Sequence, residues 1–103
     1  MNITVKFFTT LREITGTREK FLEVQENATV EEVLDKLRRE YGKPFEEYVY
    51  EKDGKSLSEN LQFLIDGQNI FTLSGLKTKI SKNAVLAIIP PIEGGDTIMV
   101  NFS

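Results

Sequence analysis

The residues Ala84-Val85-Leu86-Ala87-Ile88-Ile89-Pro90-Pro91-Ile92-Glu93-Gly94-Gly95 constrain this chain more than any other stretch. A short apolar run rich in β-branched side chains reads as a buried strand. Two prolines end it, because neither can donate to a sheet ladder or continue a helix. Two glycines follow, and they tolerate nearly any backbone conformation. The pattern predicts a strand that leaves a core stiffly and gives way to a slim, extended arm. An arm of that width suits passage through a narrow channel into another protein's active site. Beyond Gly95 come Asp96-Thr97-Ile98-Met99-Val100-Asn101-Phe102-Ser103, and any reading must account for them.

Length and composition narrow the classes of function. A chain of 103 residues with 40% hydrophobic content makes one domain with a single core. It has no apolar run of about 18 residues, so no transmembrane helix is expected. The start, Met1-Asn2-Ile3-Thr4-Val5-Lys6, lacks a charged region followed by an apolar signal core. The expectation is a soluble cytoplasmic protein with no membrane partner. A net charge of −3 argues against general nucleic-acid binding, which depends on dense Lys and Arg. The chain has no Cys and no His. It therefore lacks a thiolate nucleophile, a Cys metal site and the usual general base near neutral pH. No pair of carboxylates or lysines sits in an apolar setting that would perturb it. Composition thus argues against an independent enzyme, and no metal is expected.

The order of elements follows from periodicity. Ile3, Val5 and Phe7 alternate with Asn2, Thr4 and Lys6, which gives a strand with one apolar face. Thr9 to Thr17 is a connection in which Leu11 and Ile14 anchor a short helical turn. Arg18 to Val24 alternates again, with Leu22 and Val24 on one face. A helix begins at Thr29, where Thr29 and Glu32 have capping-box spacing. Val30, Val33, Leu34, Leu37 and Tyr41 share one face of it, and Gly42 is a natural stop. Pro44 blocks continuation, and Phe45 to Tyr50 adds a short turn or strand. Glu51 to Asn60 is a polar loop. Leu61 to Ile65 is a strand, Asp66-Gly67 a turn and Asn69 to Leu73 a brief return strand. Leu76 and Ile80 tuck under the core, and Ala84 to Ile89 is the last strand. The predicted core is Val5, Phe7, Leu22, Val24, Val33, Leu34, Leu37, Ile65, Val85 and Ala87.

This order, with Pro90-Pro91 and Gly94-Gly95, resembles the MoaD/ThiS family of ubiquitin-like β-grasp sulfur carriers, which includes the small subunit of molybdopterin synthase. The resemblance covers residues 1–95. It also rests on Leu11-Arg12-Glu13-Ile14-Thr15-Gly16, Thr29-Val30-Glu31-Glu32-Val33-Leu34 and Ile65-Asp66-Gly67-Gln68-Asn69. It implies an α+β fold, a mixed sheet of four or five strands curled around one main helix, with residues 96–103 as an extension. It also implies a mechanism. An ATP-dependent adenylating enzyme activates the terminal glycine carboxylate, and sulfur then replaces AMP to leave a thiocarboxylate. The arm delivers that sulfur to a molybdopterin precursor inside a MoaE-like large subunit. No cofactor is bound by the carrier; ATP is used by the activating partner. The sulfur-bearing residue would be Gly95, with Gly94 beside it.

One departure is plain. In typical members the second glycine ends the chain, because only a free α-carboxylate can be adenylated. Here Gly95 is joined to Asp96. Either a protease removes residues 96–103, or this chain does not carry sulfur in that way. Thr97 to Phe102 is apolar and β-prone, unlike a polar disordered segment, and could instead add to a sheet edge. Two rival functions stay open: a ubiquitin-like protein modifier that joins Gly95 to target lysines, and a β-grasp interaction module. The plainest reading of Gly94-Gly95 is a turn leading to a sixth strand. For the partner surface, alternation sets Phe8, Leu86 and Ile88 opposite Phe7, Val85 and Ala87. If the latter face the helix, the former lie on the outer sheet face, where an apolar patch marks a partner site. Pro90, Pro91 and Ile92 would aim the arm and meet the same partner.

Overall fold

The computed structural model describes residues 1–90. Strand β1 (Asn2–Phe7) buries Ile3, Val5 and Phe7 and exposes Asn2 and Lys6, as period-2 spacing requires. It pairs antiparallel with β2 (Glu19–Glu23) through the connection that holds α1 (Thr10–Thr15). Leu11 of α1 is buried against the core, as its position in the connection suggested. Strand β5 (Val85–Ile89) lies beside β1 in parallel, and β3 (Gln62–Ile65) lies antiparallel on its other side. The short β4 (Gln68–Asn69) closes the sheet, so the order is β2-β1-β5-β3-β4. The last strand in sequence is therefore central in space.

Helix α2 (Val30–Tyr41) packs its apolar stripe on one face of this sheet. Val30, Val33, Leu34 and Leu37 are fully buried with Val5, Phe7, Phe63, Leu86 and Ile88. The expected capping box is present: the Thr29 hydroxyl accepts from the Glu32 amide at 3.3 Å, and a Glu32 carboxylate oxygen accepts from the Thr29 amide at 2.8 Å. These bonds satisfy backbone donors that a helix start leaves free. Gly42 ends the helix with φ 77° and ψ −153°, a conformation that a side chain would strain.

Three local features differ from the sequence expectation. Residues 43–49 form a helix, α3 (Lys43–Val49), rather than a turn or strand. Pro44 sits in its first turn, where the missing N–H costs nothing, so the proline opens a helix as well as closing the previous one. Phe45 and Val49 bury on its inner side. The return strand after Asp66-Gly67 is only two residues, and Ile70–Thr72 and Gly75–Lys77 are 3₁₀ turns. Ile80 is buried beneath them and Leu76 is partly so.

The third difference concerns β5. Leu86 and Ile88 are fully buried, whereas Val85, Ala87 and Ile89 are half-buried on the opposite face. Val85 and Ala87 are thus not core residues, and Val24 packs only partly against the core. Pairing explains the choice of face. Val85 lies beside Thr4 and Ala87 beside Lys6, and both of those β1 residues point away from α2. Neighbouring residues in register share a face, so β5 inherits the phase of β1.

Candidate functional site

The site begins where β5 stops. Ile89 is the last residue of the strand, and Pro90 follows half-buried at its end. Because β5 lies between β1 and β3, the chain leaves from the middle of the sheet. Asp66 fixes the other end of the strand: its amide donates to the Val85 carbonyl at 2.8 Å, and its carboxylate accepts from the Val85 amide at 2.9 Å. Pro91, Ile92, Glu93, Gly94, Gly95 and residues 96–103 lie outside the described residues.

Beside the exit is the end of β1. Phe7 pairs with Ile88, which places the next residue, Phe8, alongside Ile89. Phe8 is half-buried. The Arg12 guanidinium lies over its ring at 5.4 Å, and Arg12 Nε donates to the Phe7 carbonyl at 3.1 Å. A cation over an aromatic face, held by a backbone bond, fixes the ring at the strand end. Lys6, Phe7, Phe8, Arg12, Arg18 and Glu19 line a groove there, with three cations to one acid.

The outer sheet face extends from this groove. The registers give one row across all five strands: Glu19, Lys6, Ala87, Leu64 and Asn69. A second row joins Phe21, Thr4 and Val85. Leu64, Val85, Ala87 and Ile89 form a half-buried apolar strip, and Phe21 at the β2 edge is 71% exposed. Leu86 and Ile88, expected here as partner contacts, are fully buried and cannot serve as such. Phe8, just beyond the end of β1, is half-buried and lines the groove. Sequence reasoning missed Leu64 and Ile89. Gln62, two residues before Leu64 on the same strand, could have marked Leu64 as outward, whereas Ile89 lies in an all-apolar run that gives no such signal.

Other polar clusters are structural. Arg38 stacks on Tyr50 at 3.8 Å and donates to the Gly54 carbonyl at 2.9 Å, which ties the 51–56 loop to α2. Burial pushes the Tyr50 hydroxyl above its ordinary value, with the Arg38 cation pulling the other way. The Asp53 carboxylate accepts from the amides of Lys55 and Ser56 and from the Ser56 hydroxyl, and these bonds hold its pKa down to about 2. Among the described residues no cluster of acids is arranged to hold a metal ion, and no helix is long and apolar enough to cross a membrane.

The five-stranded sheet, the long helix packed on one face of it and the central last strand define a ubiquitin-like β-grasp protein. Residues 5–95 match the ThiS family, and the chain belongs to it. It is thus a member of a family of ubiquitin-like sulfur carriers and modifiers. It is 28% identical over 95 residues to small archaeal modifier protein 3 of Haloferax volcanii, covering 92% of this chain and all of that one. The solution structure of small archaeal modifier protein 1 from Methanosarcina acetivorans superposes with a TM-score of 0.75 at 34% identity, covering 91% of this chain and 96% of that one. A Pyrococcus furiosus protein described as a putative molybdopterin converting factor, subunit 1, shares the fold with a TM-score of 0.70 at 20% identity, over 89% and 99% of the two chains.

Proposed function

We propose that this protein is a carrier activated at Gly95, which bears sulfur as a thiocarboxylate once residues 96–103 have been removed. The observation that supports this most is the exit of β5. A strand anchored at one end by Asp66 and paired on both sides ends at Ile89, five residues before Gly94. A central strand gives the following segment a fixed base, and the sequence beyond it has no bulky side chain at Gly94 or Gly95. In the first step, the Gly95 carboxylate attacks the α-phosphate of ATP and pyrophosphate leaves. A hydrosulfide-level sulfur then attacks the acyl carbon, a C–S bond forms, and AMP departs with the oxygen. The partner enzymes supply the catalytic groups, which accords with a chain without Cys or His. The recipient in this reading is a molybdopterin precursor held by a MoaE-like large subunit, and the setting is the cytoplasm.

A second reading shares the first step. The named relatives from Haloferax volcanii and Methanosarcina acetivorans are modifier proteins. In that reading the amine of a target lysine attacks the acyl carbon of the adenylated Gly95, an isopeptide bond forms, and AMP departs with the oxygen while the amine gives up a proton. ATP–pyrophosphate exchange with an activating enzyme tests the common step. The chain ending at Gly95 should support exchange and the full-length chain should not. Equal exchange by both would overturn the need for processing, and none by either would leave an interaction module. Mass spectrometry separates the branches: sulfur replacing oxygen on a chain ending at Gly95 marks the carrier, and a Gly95–lysine bond marks the modifier.

A further inference from the structure

We infer that the open edge of β2 binds an extended acidic segment of a partner protein as an added strand. In the sheet order β2 stands last, with β1 as its one neighbour among the described residues. The ladder between them shows which backbone groups stay open. The Met1 ammonium donates to the Val24 carbonyl at 2.6 Å, the Val24 amide donates to the Met1 carbonyl at 2.8 Å, and the Phe7 amide donates to the Arg18 carbonyl at 2.9 Å. In an antiparallel pair such bonded positions alternate with unbonded ones. Arg18, Lys20, Leu22 and Val24 therefore turn their backbone groups toward β1, and Glu19, Phe21 and Glu23 turn theirs outward. The Glu19 carbonyl accepts from the Thr17 hydroxyl at 3.0 Å. Phe21 and Glu23 keep both N–H and C=O unbonded among the described residues. An open row of this kind is a template for another strand.

Side chains and charge select the occupant. Phe21 stands between Glu19 and Glu23 on the outer side of the edge, with 71% of its surface exposed. An apolar residue opposite it would take part of the ring out of water. On the α2 side, a groove of about 230 Å³ runs between the end of β2 and the helix, lined by Val24, Gln25, Ala28, Glu32, Lys36 and Arg39. The Glu32 carboxylate is held by the amide and hydroxyl of Thr29 at 2.8 and 3.4 Å, and Glu40 further along α2 pairs with Lys20 at 2.7 Å. Lys36 and Arg39 are exposed and have no carboxylate partner among the described residues. They stand about 4.5 Å apart along the helix axis, and alternate side chains of a strand stand about 6.6 Å apart on one side. Carboxylates opposite Leu22 and Val24 would therefore meet both cations, while basic residues opposite Glu19 and Glu23 would meet the outer acids. A second copy of β2 fits less well, since setting Phe21 opposite its equivalent sets Glu19 opposite Glu23.

This inference does not depend on Gly95 chemistry, and its test uses the full-length chain. The probe is the peptide acetyl-Asp-Lys-Asp-Ile-Thr-Lys-amide. Added antiparallel, it places its two Asp opposite Val24 and Leu22 and its Ile opposite Phe21. Amide hydrogen exchange is followed by NMR as the peptide is titrated. The expected result is a saturable slowing at Phe21 and Glu23 with Lys20 and Leu22 unchanged, an alternation that side-chain contact alone would not produce. Lys36→Glu/Arg39→Glu, on the exposed side of α2, should weaken binding about tenfold. Methylating the Ile nitrogen of the peptide, which leaves the protein untouched, should abolish it. No slowing at Phe21 and Glu23 would overturn the proposal, as would equal binding by the charge-reversed variant or by the methylated peptide. Slow exchange at these two amides in the chain without peptide would also overturn it, because the edge would already be covered; a slowing that fades on dilution would mark a second copy as the cover.

Discussion

Replacing Leu86 with Ala tests the phase of β5, on which the site's geometry depends. Leu86 is 0% exposed and lies on the inner face of the sheet, in the core that α2 covers. The substitution removes three carbons, worth about 2.4 kcal/mol of transfer free energy at ~0.8 kcal/mol each. A residual void of roughly 40 Å³ adds about 1 kcal/mol. The expected loss is about 3 kcal/mol, which moves a urea midpoint by ~2 M at a slope of ~1.5 kcal/mol/M. Leu64→Ala is the matched control, because it makes the same deletion on the half-exposed outer face. It should cost about 1 kcal/mol or less. Unfolding of both variants, followed by circular dichroism with the slope checked for two-state behaviour, gives the comparison. An equal or larger loss for Leu64→Ala would refute the assignment of faces and with it the apolar strip.

Other outcomes follow from single contacts. Thr29→Ala should lower stability by about 1 kcal/mol through loss of the capping box, and Thr29→Ser should restore most of it in the same denaturation assay. Arg38→Ala should cost about 1–2 kcal/mol, since it removes both the stack on Tyr50 and the bond to the Gly54 carbonyl. Arg38→Lys should recover less than half, because an ammonium lacks the planar fork. Asp53 has a folded pKa of about 2 against an ordinary 3.8. A depressed carboxylate stabilises above its unfolded value and loses that contribution as pH falls through the folded one. Stability measured from pH 5 down to pH 2 should therefore fall less steeply in Asp53→Asn than in the parent, and parallel slopes would show that the loop bonds do not form.

How much could be read in advance depends on whether polar residues mark the period. In β1, Asn2, Thr4 and Lys6 interrupt Ile3, Val5 and Phe7, so the buried face is legible. The same holds for α2, where the cap, the stripe and Gly42 all agree. Helix α3 was signalled by Pro44 followed by Phe45 and Val49 at helical spacing, yet a proline read only as a stop conceals it. In Ala84 to Ile89 every residue is apolar, so the run carries no phase of its own. Its phase comes from the parallel register with β1, which no local pattern contains. That register has a functional effect. With even-numbered residues inward, Leu86 and Ile88 are spent on the core, and the outer row holds Ala87 flanked by Lys6 and Leu64. The opposite phase would raise two bulky side chains at the centre of the face. The observed one leaves it low in the middle, apolar along β5 and cationic at the exit.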